Sequence, residues 1–252
     1  MAAGDTPGAY VDHGRIPGPC EINWSHPLSI GLRVVIADGT GKNLVDNSPI
    51  ALNNCKYTEE SGFVFDKSKP SEKSYIGVHL DNSRRSECTC VALIPPVTEP
   101  VDAMRLIASV GRDPNHWADA LLLGLHGRNL EAGKFGGYSL LADADADAYI
   151  HISQSYSVVS CTYSALGPLR LYVGGAQIAE AHGKFSPLDY LTSSTLGGLS
   201  VGGSSRDTVS GSPPLDSLLL YLHYDRVLAP DELMRLGVDP YQLLLKKSGA
   251  ST

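Results

Sequence analysis

Two adjacent glycines, Gly174 and Gly175, constrain the fold of this chain more than any other feature. They separate two strand-like stretches, Leu169–Val173 and Ala176–Ala179. A two-residue type I′ turn requires φ > 0 at both central positions, and glycine adopts such angles without steric cost. Alternate residues of the first stretch are apolar, which places one of its faces in a core. The sequence therefore predicts a tight antiparallel hairpin.

Short strand-like segments recur along most of the chain, each bounded by clusters of Gly, Pro, Asn or Ser. The predicted strands are Leu32–Ala37, Gly62–Asp66, Tyr75–Leu80, Glu87–Ile94, Arg105–Val110, Ala118–His126, Gly137–Leu141, Ala148–Ser153, Ser157–Tyr163, Leu169–Val173, Leu199–Gly202 and Leu215–Tyr224. About a dozen strands without an internal repeat indicate an all-β fold of two packed antiparallel sheets, a β-sandwich. A sandwich of 252 residues is routinely a single domain.

One helix is predicted, directly after the strand Leu215–Tyr224, which we expect in the interior of a sheet. Pro230 suits the first helical position, where its missing N–H is not needed, and Gly237 can end the helix. Ala229 precedes the proline and has no side-chain acceptor to cap the helix, a lack that costs about 0.5–2 kcal/mol. We expect packing of the leucines of this helix to compensate.

Charge and composition exclude several kinds of partner. The chain carries a net charge of −7, from 20 basic and 27 acidic residues, so we expect no nucleic-acid partner. No apolar run approaches the roughly 18 residues of a membrane span, and the N-terminus does not resemble a secretory leader, which predicts neither a membrane contact nor export. The five cysteines are odd in number and scattered, which indicates reduced thiols. Cys88 and Cys90 share one face of a strand, and without a second such pair they are interpreted as buried hydrophobes rather than zinc ligands.

The chain divides into three parts. Residues 1–22 are rich in Gly and Pro and predict an extended or flexible N-terminal arm. Residues 23–245 hold the strands and the helix, and residues 246–252 form a C-terminal tail.

Several segments resemble concanavalin A-like, laminin-G-like β-sandwich proteins of the type encoded by tailed bacteriophages. They are Asn23–Leu32, Asp38–Ser48, Gly62–Asp66 with Tyr75–Val78, and the closing segments Leu169–Ala179 and Pro214–Leu233, which contain RLYV, a Gly-containing turn and YDRVLAPDEL. The turn at Asp38 departs from the family pattern, since Thr40 replaces a serine and Asn43 comes one position early. The likeness covers residues 23–245, but Arg112–Gly137 has no counterpart. It implies a jelly-roll sandwich with one short C-terminal helix.

The same resemblance implies a virion structural protein made in the host cytoplasm. Its partner would be the major capsid protein or another virion protein, to which it binds as a decoration protein, and self-association as a homo-oligomer is a further option. The alternative function is a glycan-binding, lectin-like module on a phage tail or particle surface.

An acidic run offers a candidate metal site. Asp143, Asp145 and Asp147 alternate along the chain and could converge on a hard cation such as calcium. A helix–loop–helix calcium loop would need Gly and Glu where Ala148 and Gln154 stand, so that kind of site is excluded. A looser calcium site and a solvated acidic edge both stay open, and no other cofactor is predicted.

Exposed aromatic rings offer a candidate glycan site. Trp117, Tyr138 and Tyr149 lie in or beside polar loops and could stack on sugar rings. Each could instead be a buried anchor with one polar group, and for Trp24 the buried role is expected.

Signatures of catalysis are missing from the sequence. The β-glucanases that share the sandwich fold carry paired glutamates in an E-x-D-x-E strand, and no such strand occurs here. Gly202–Arg206 lacks the final glycine of a nucleophile elbow. Gly39–Asn43 lacks both the first glycine and the Ser or Thr of a phosphate-binding loop. The sequence predicts a protein that is not an enzyme.

Overall fold

Two large antiparallel sheets pack face to face in the computed structural model of the chain. The structure describes residues 18–70, 73–98, 101–111, 120–127, 129–134, 140–144, 152–183, 188–198 and 213–247. Within these ranges only the backbone is described for residues 82–85, 101–104, 127, 134, 140–144 and 189–193.

The named elements are eighteen strands, one α-helix and one 3₁₀ turn, and residues 152–154 are also helical. The strands are β1 (Cys20–Ile22), β2 (Leu32–Ile36), β3 (Ala51–Asn53), β4 (Cys55–Thr58), β5 (Gly62–Phe65), β6 (Tyr75–Arg85), β7 (Glu87–Ile94), β8 (Val101–Gly111), β9 (Leu121–Gly127), β10 (Asn129–Lys134), β11 (Leu140–Ala144), β12 (Ser157–Ser164), β13 (Leu169–Val173), β14 (Ala176–Ala181), β15 (Leu188–Leu196), β16 (Ser217–Leu218), β17 (Leu220–Tyr224) and β18 (Leu244–Lys246). The 3₁₀ turn is Pro27–Ser29, and the helix α1 is Pro230–Val238.

The strand order confirms the predicted sandwich. One sheet has seven strands in the order β11-β10-β9-β8-β15-β6-β3, and the other has six in the order β14-β13-β12-β7-β17-β2. A three-stranded sheet, β16-β5-β4, and the pair β1-β18 complete the fold. The described pairs are antiparallel throughout, and β17 has a neighbour on each side, as predicted for the strand before the helix.

Apolar side chains form two layers. The inner core lies between the two large sheets and includes Val78, Ala92, Val110 and Leu171. A second core lies on the outer face of the six-stranded sheet, where leucines of α1 and of the 3₁₀ turn pack against β7 and β17. Because β17 is covered on both faces, its residues are buried at every position.

The Gly174–Gly175 hairpin is confirmed. The two residues have φ of 57° and 82°, and the turn joins β13 to β14 with Val173 opposite Ala176. Both angles lie in the left-handed region that a type I′ turn requires.

Some predicted strands have different limits. The predicted strand Leu215–Tyr224 is divided at Leu219 into β16 and β17, which belong to different sheets. At this division the backbone of Leu218–Leu219 lies close to Gly62. A Cβ on residue 62 would lie 2.5 Å from the Leu218 carbonyl oxygen. In the predicted strand Ala148–Ser153, residues 152 and 153 are helical, so the end of that prediction is wrong. The predicted strand Leu199–Gly202 lies outside the described residues.

The ends of the sandwich join through one strand pair. Cys20–Ile22, at the end of the predicted arm, pair with Leu244–Lys246. The ordered sheet thus includes three residues before the boundary predicted at residue 23. Among the described residues, no helix is long and apolar enough to cross a membrane.

Two buried polar residues, Asp38 and Asn43, hold the turn that follows β2. The Asp38 carboxylate accepts hydrogen bonds from the Cys20 backbone N–H at 3.0 Å and from the Thr40 N–H at 3.1 Å. The Asn43 side chain accepts from the Val35 N–H at 2.9 Å and donates to the Arg33 carbonyl oxygen at 3.0 Å. These bonds tie β1 to the turn and satisfy backbone groups along the edge of β2.

Candidate functional site

Of the six predicted site residues, the structure describes only Asp143, and of that residue only the backbone. Five of them lie outside the described residues: Trp117, Tyr138, Tyr149, Asp145 and Asp147. The backbone of Asp143 lies in β11, at the position opposite Glu131 of β10. Within the described part of the chain, no three metal-binding side chains lie close enough to hold an ion. The glycan and calcium assignments of these six residues stay predictions.

Trp24 is the one exposed tryptophan among the described residues, although we expected it to be buried. The side chain of Trp24 is 57% exposed, so the expectation that it anchors the core is wrong. The buried position near it is taken by Leu28, which is fully buried in the outer core. We call residues 23–31, between β1 and β2, the Trp24 loop.

Hydrogen bonds hold the backbone of the Trp24 loop in one conformation. The Asn23 N–H donates to the Leu243 carbonyl oxygen at 2.8 Å, and the His26 N–H donates to the Asn23 carbonyl oxygen at 2.9 Å. The Ser29 hydroxyl donates to the Trp24 carbonyl oxygen at 3.0 Å. Proline at the start of the 3₁₀ turn restricts the backbone further. An exposed indole on a fixed backbone loses little conformational entropy when it binds a ligand.

His26 has a defined tautomer in this loop. Its Nδ1 accepts a hydrogen bond from the Leu28 backbone N–H at 3.2 Å and caps the 3₁₀ turn. Because Nδ1 is an acceptor, the neutral ring carries its proton on Nε2. The half-buried imidazole therefore offers one donor close in sequence to the indole of Trp24.

Arg226 fixes the far end of the loop. Its Nε donates to the Ile30 carbonyl oxygen at 2.8 Å, and its Nη1 and Nη2 bind the Glu232 carboxylate at 2.7 and 2.8 Å. The same carboxylate accepts from the Ala229 N–H at 2.8 Å and so caps α1. Hydrogen bonds from Arg226 hold the pKa of Glu232 below its usual value. One guanidinium thus ties the loop to the first turn of the helix.

The surface of the loop combines apolar and polar groups. Trp24 and Ile30 are 57% and 67% exposed, and Ser25 is exposed between them in sequence. Asn23 and His26 add partly exposed amide and imidazole groups. Indole rings provide a large flat apolar face, and the neighbouring groups can donate to or accept from hydroxyls. This combination suits a ring-shaped ligand with one apolar face and polar edges.

A second polar group of side chains lies in the inner core, remote from solvent. Cys90 is 1% exposed, with the His223 Nδ1 at 3.6 Å and the Tyr221 hydroxyl at 3.5 Å from its sulfur. A cysteine next to a histidine is the arrangement of a catalytic nucleophile, but a substrate cannot reach a sulfur buried between two sheets. The Trp24 loop is therefore the better binding candidate.

Comparison with known proteins places the fold. No family model matches the sequence, and no curated protein matches it. Solved structures do match. The binding domain of Paraclostridial Mosquitocidal Protein 1 superposes with a TM-score of 0.54 at 13% identity, over 85% of this chain and 53% of that one. The receptor binding domain of botulinum neurotoxin D gives 0.57 at 11% identity, over 82% of this chain and 52% of that one.

A third match is botulinum neurotoxin type C, which depends on interaction with two ganglioside molecules to enter cells. Its TM-score is 0.59 at 12% identity, over 83% of this chain and 51% of that one. The chain thus spans about half the length of these structures. At such identities the likeness concerns the fold alone, and these neighbours are binding domains rather than catalytic ones. The chain is a β-sandwich of the kind used by toxin binding domains.

Proposed function

We propose that this protein is a non-enzymatic glycan-binding module and that the Trp24 loop forms part of its binding surface. The observation that carries the proposal is the exposed indole of Trp24 on a hydrogen-bonded loop. Scattered exposed leucines are ordinary on protein surfaces, whereas a tryptophan with more than half of its side chain in water is unusual.

A ligand that covers the exposed indole would gain a sizeable free energy of binding. A tryptophan side chain buries up to about 250 Å², so an exposed fraction of 57% corresponds to roughly 140 Å². At about 25 cal/mol per Å², covering this area with a sugar ring is worth roughly 3 kcal/mol before the costs of association. A free energy of this size is enough to determine whether a weakly bound glycan binds.

The fold of the structural neighbours supports the same function. They are binding domains, and one belongs to a toxin that depends on gangliosides, which carry glycan head groups. In this proposal Trp117, Tyr138 and Tyr149 are further candidates for stacking, and a calcium ion at the acidic run stays a separate hypothesis.

The test compares two exposed residues in different places. Wild-type protein is screened on a glycan array and on cell-wall polysaccharide, and the best ligand is titrated by calorimetry. We expect Trp24→Ala to lower affinity about 5- to 150-fold, taking stacking on a sugar ring to be worth about 1–3 kcal/mol, as it is for a nucleic-acid base. Leu166→Ala is the control, since Leu166 is 99% exposed in the turn between β12 and β13. Its affinity should equal that of wild type.

Thermal melts of the two variants show whether either substitution disturbs the fold. If the wild type binds a glycan and Trp24→Ala binds it equally well, the loop is not the site. If no glycan binds, the glycan-binding function itself is wrong.

A second candidate is the virion decoration protein that the family resemblance implies. Cys20–Ile22 pair with Leu244–Lys246 at the start of the described chain, and in this hypothesis residues 1–17 follow the capsid surface. Cosedimentation with purified particles tests it. Removal of residues 1–17 keeps β1 intact and should release the protein, and equal binding without the arm would contradict the hypothesis.

A further inference from the structure

Three of the five cysteines face one another in the inner core. Cys88, Cys90 and Cys161 are 0%, 1% and 0% exposed, and we call them the thiol cluster. Cys88 and Cys90 alternate along β7, and Cys161 lies on the neighbouring β12. All three are free thiols in the structure, as are Cys20 and Cys55 elsewhere.

Strand register places one pair of these thiols directly opposite each other. Cys90 faces Cys161, whereas Cys88 faces Tyr163. Opposite residues of antiparallel strands have Cα atoms about 4.5–5.5 Å apart, which lies within the range of about 4.4–6.8 Å seen across disulfides. The pair can be bridged without moving either strand.

The neighbouring pair within β7 cannot be bridged in the same way. Side chains two residues apart on a strand are separated by about 6.6 Å, beyond the roughly 3.5–4.5 Å between Cβ atoms that a disulfide needs. Cys20 lies against Asp38, and Cys55 lies against the Tyr75 carbonyl oxygen, so the sulfur of each contacts a group outside the cluster. The folded register therefore selects a single pair.

The packed surroundings of Cys90 and Cys161 shift their pKa values in opposite directions. Hydrogen bonds from Cys161 and Cys88 to its sulfur, together with nearby His223, hold the pKa of Cys90 below its ordinary value. Donation to Cys90 and burial raise the pKa of Cys161. These shifts belong to the packed fold, in which glutathione does not reach either sulfur, so they do not decide which of the two thiols reacts first.

We propose that Cys90 and Cys161 are a disulfide-forming pair, which closes when the chain folds in the presence of a low-molecular-weight disulfide such as oxidised glutathione. While the chain folds, the thiolate of one cysteine of the pair attacks one sulfur of glutathione disulfide, forms a mixed disulfide and expels one glutathione thiolate. The thiolate of the other cysteine then attacks the protein sulfur of that mixed disulfide and expels the second glutathione thiolate. Two protein thiols lose two electrons and two protons, and one glutathione disulfide becomes two glutathione molecules. Cys88 stays a thiol.

The proposal is tested on the full chain. Reduced, unfolded protein is refolded in a glutathione redox buffer, free thiols are alkylated, and protease digests are mapped by mass spectrometry without reduction. The expected product is a cross-linked pair of peptides containing Cys90 and Cys161, with the other three cysteines alkylated. Cys88→Ala should keep the cross-link, and Cys161→Ala should lose it without transferring it to Cys88.

The bridge closes a long loop and should stabilise the fold. We expect the melting temperature of the oxidised protein to exceed that of the reduced protein by roughly 5–10 °C. Folded protein that retains five free thiols, or whose main cross-link joins another pair, overturns the proposal. If refolding fails, folded protein is held with oxidised glutathione a few degrees below its melting temperature. The absence of the Cys90–Cys161 link after that treatment likewise overturns the proposal.

Discussion

The turn that joins β13 to β14 lies against helix α1, and its two glycines allow that contact to be measured. Gly174 and Gly175 both have positive φ, but their surroundings differ. A Cβ on Gly174 would meet no atom within 4 Å. A Cβ on Gly175 would lie 2.5 Å from the Met234 Cα and 2.6 Å from the Leu233 carbonyl oxygen, both in the backbone of α1.

The two alanine substitutions should therefore differ in cost. Alanine in the left-handed region costs about 1–2 kcal/mol, which is the whole expected effect of Gly174→Ala. Gly175→Ala adds an overlap with helix backbone, which cannot rotate away as a side chain can, and overpacking of this kind costs about 1–3 kcal/mol more. We expect a total loss of about 2–5 kcal/mol for Gly175→Ala. The difference between the two variants corresponds to roughly 2–12 °C in melting temperature.

Urea unfolding followed by circular dichroism measures both free energies of unfolding. Asparagine tolerates the left-handed region better than alanine does, so Gly174→Asn should be nearly neutral. Gly175→Asn should still be destabilised because its Cβ meets the same helix atoms. If the two positions lose equal stability with either residue, α1 does not lie on the turn and the outer core is wrongly described.

Two further predictions concern carboxylates. Asp38→Ala should lower the free energy of unfolding in urea by about 2–4 kcal/mol, because buried backbone donors lose a charged acceptor. Asp46→Ala removes a similar but exposed turn carboxylate and should lower it by well under half as much. The pKa of Glu232 is lowered by Arg226, so its contribution to stability is present above the ordinary carboxyl pKa and is lost as pH falls through the lowered folded-state value. Glu232→Gln should thus be less stable than wild type at neutral pH and approach it in acid, as measured by urea unfolding at a series of pH values; a difference that does not change with pH would contradict the assigned ion pair.

Strands could be predicted from the sequence where apolar and polar residues alternate or where several apolar residues are consecutive. Glu87–Ile94 and Leu169–Val173 were predicted with the limits that the structure shows. β15 was missed although it lies within the seven-stranded sheet, because its buried positions include Ser194 and Thr195. The Ser194 hydroxyl donates to the Ser109 carbonyl oxygen at 3.0 Å, so a polar residue is satisfied where an apolar one would have signalled a strand.

The first turn of α1 could be predicted only in part from the sequence. Ala229 has no side-chain acceptor, and the sequence predicted an uncapped start that packing must offset. In the structure the Glu232 carboxylate reaches back to the Ala229 N–H, which supplies half of a capping box. The spacing of these two residues contains that signal. The simultaneous binding of Arg226 by the same carboxylate depends on the folded chain and could not be predicted from spacing.

The sequence did not single out the candidate site, because the most distinctive segment of the family resemblance, YDRVLAPDEL, has a structural role. In YDRVLAPDEL, Arg226 and Glu232 bind each other, and Arg226 also binds the Ile30 carbonyl oxygen. Their side chains are used in holding the Trp24 loop against α1, so they are not free to distinguish one ligand from another. Trp24 makes its hydrogen bond in the loop through its backbone carbonyl, and its indole is left for contact with a ligand. In the proposed function, stability and recognition depend on different side chains, and substitutions should separate them: loss of Arg226 should lower both stability and binding, whereas loss of the Trp24 ring should lower binding alone.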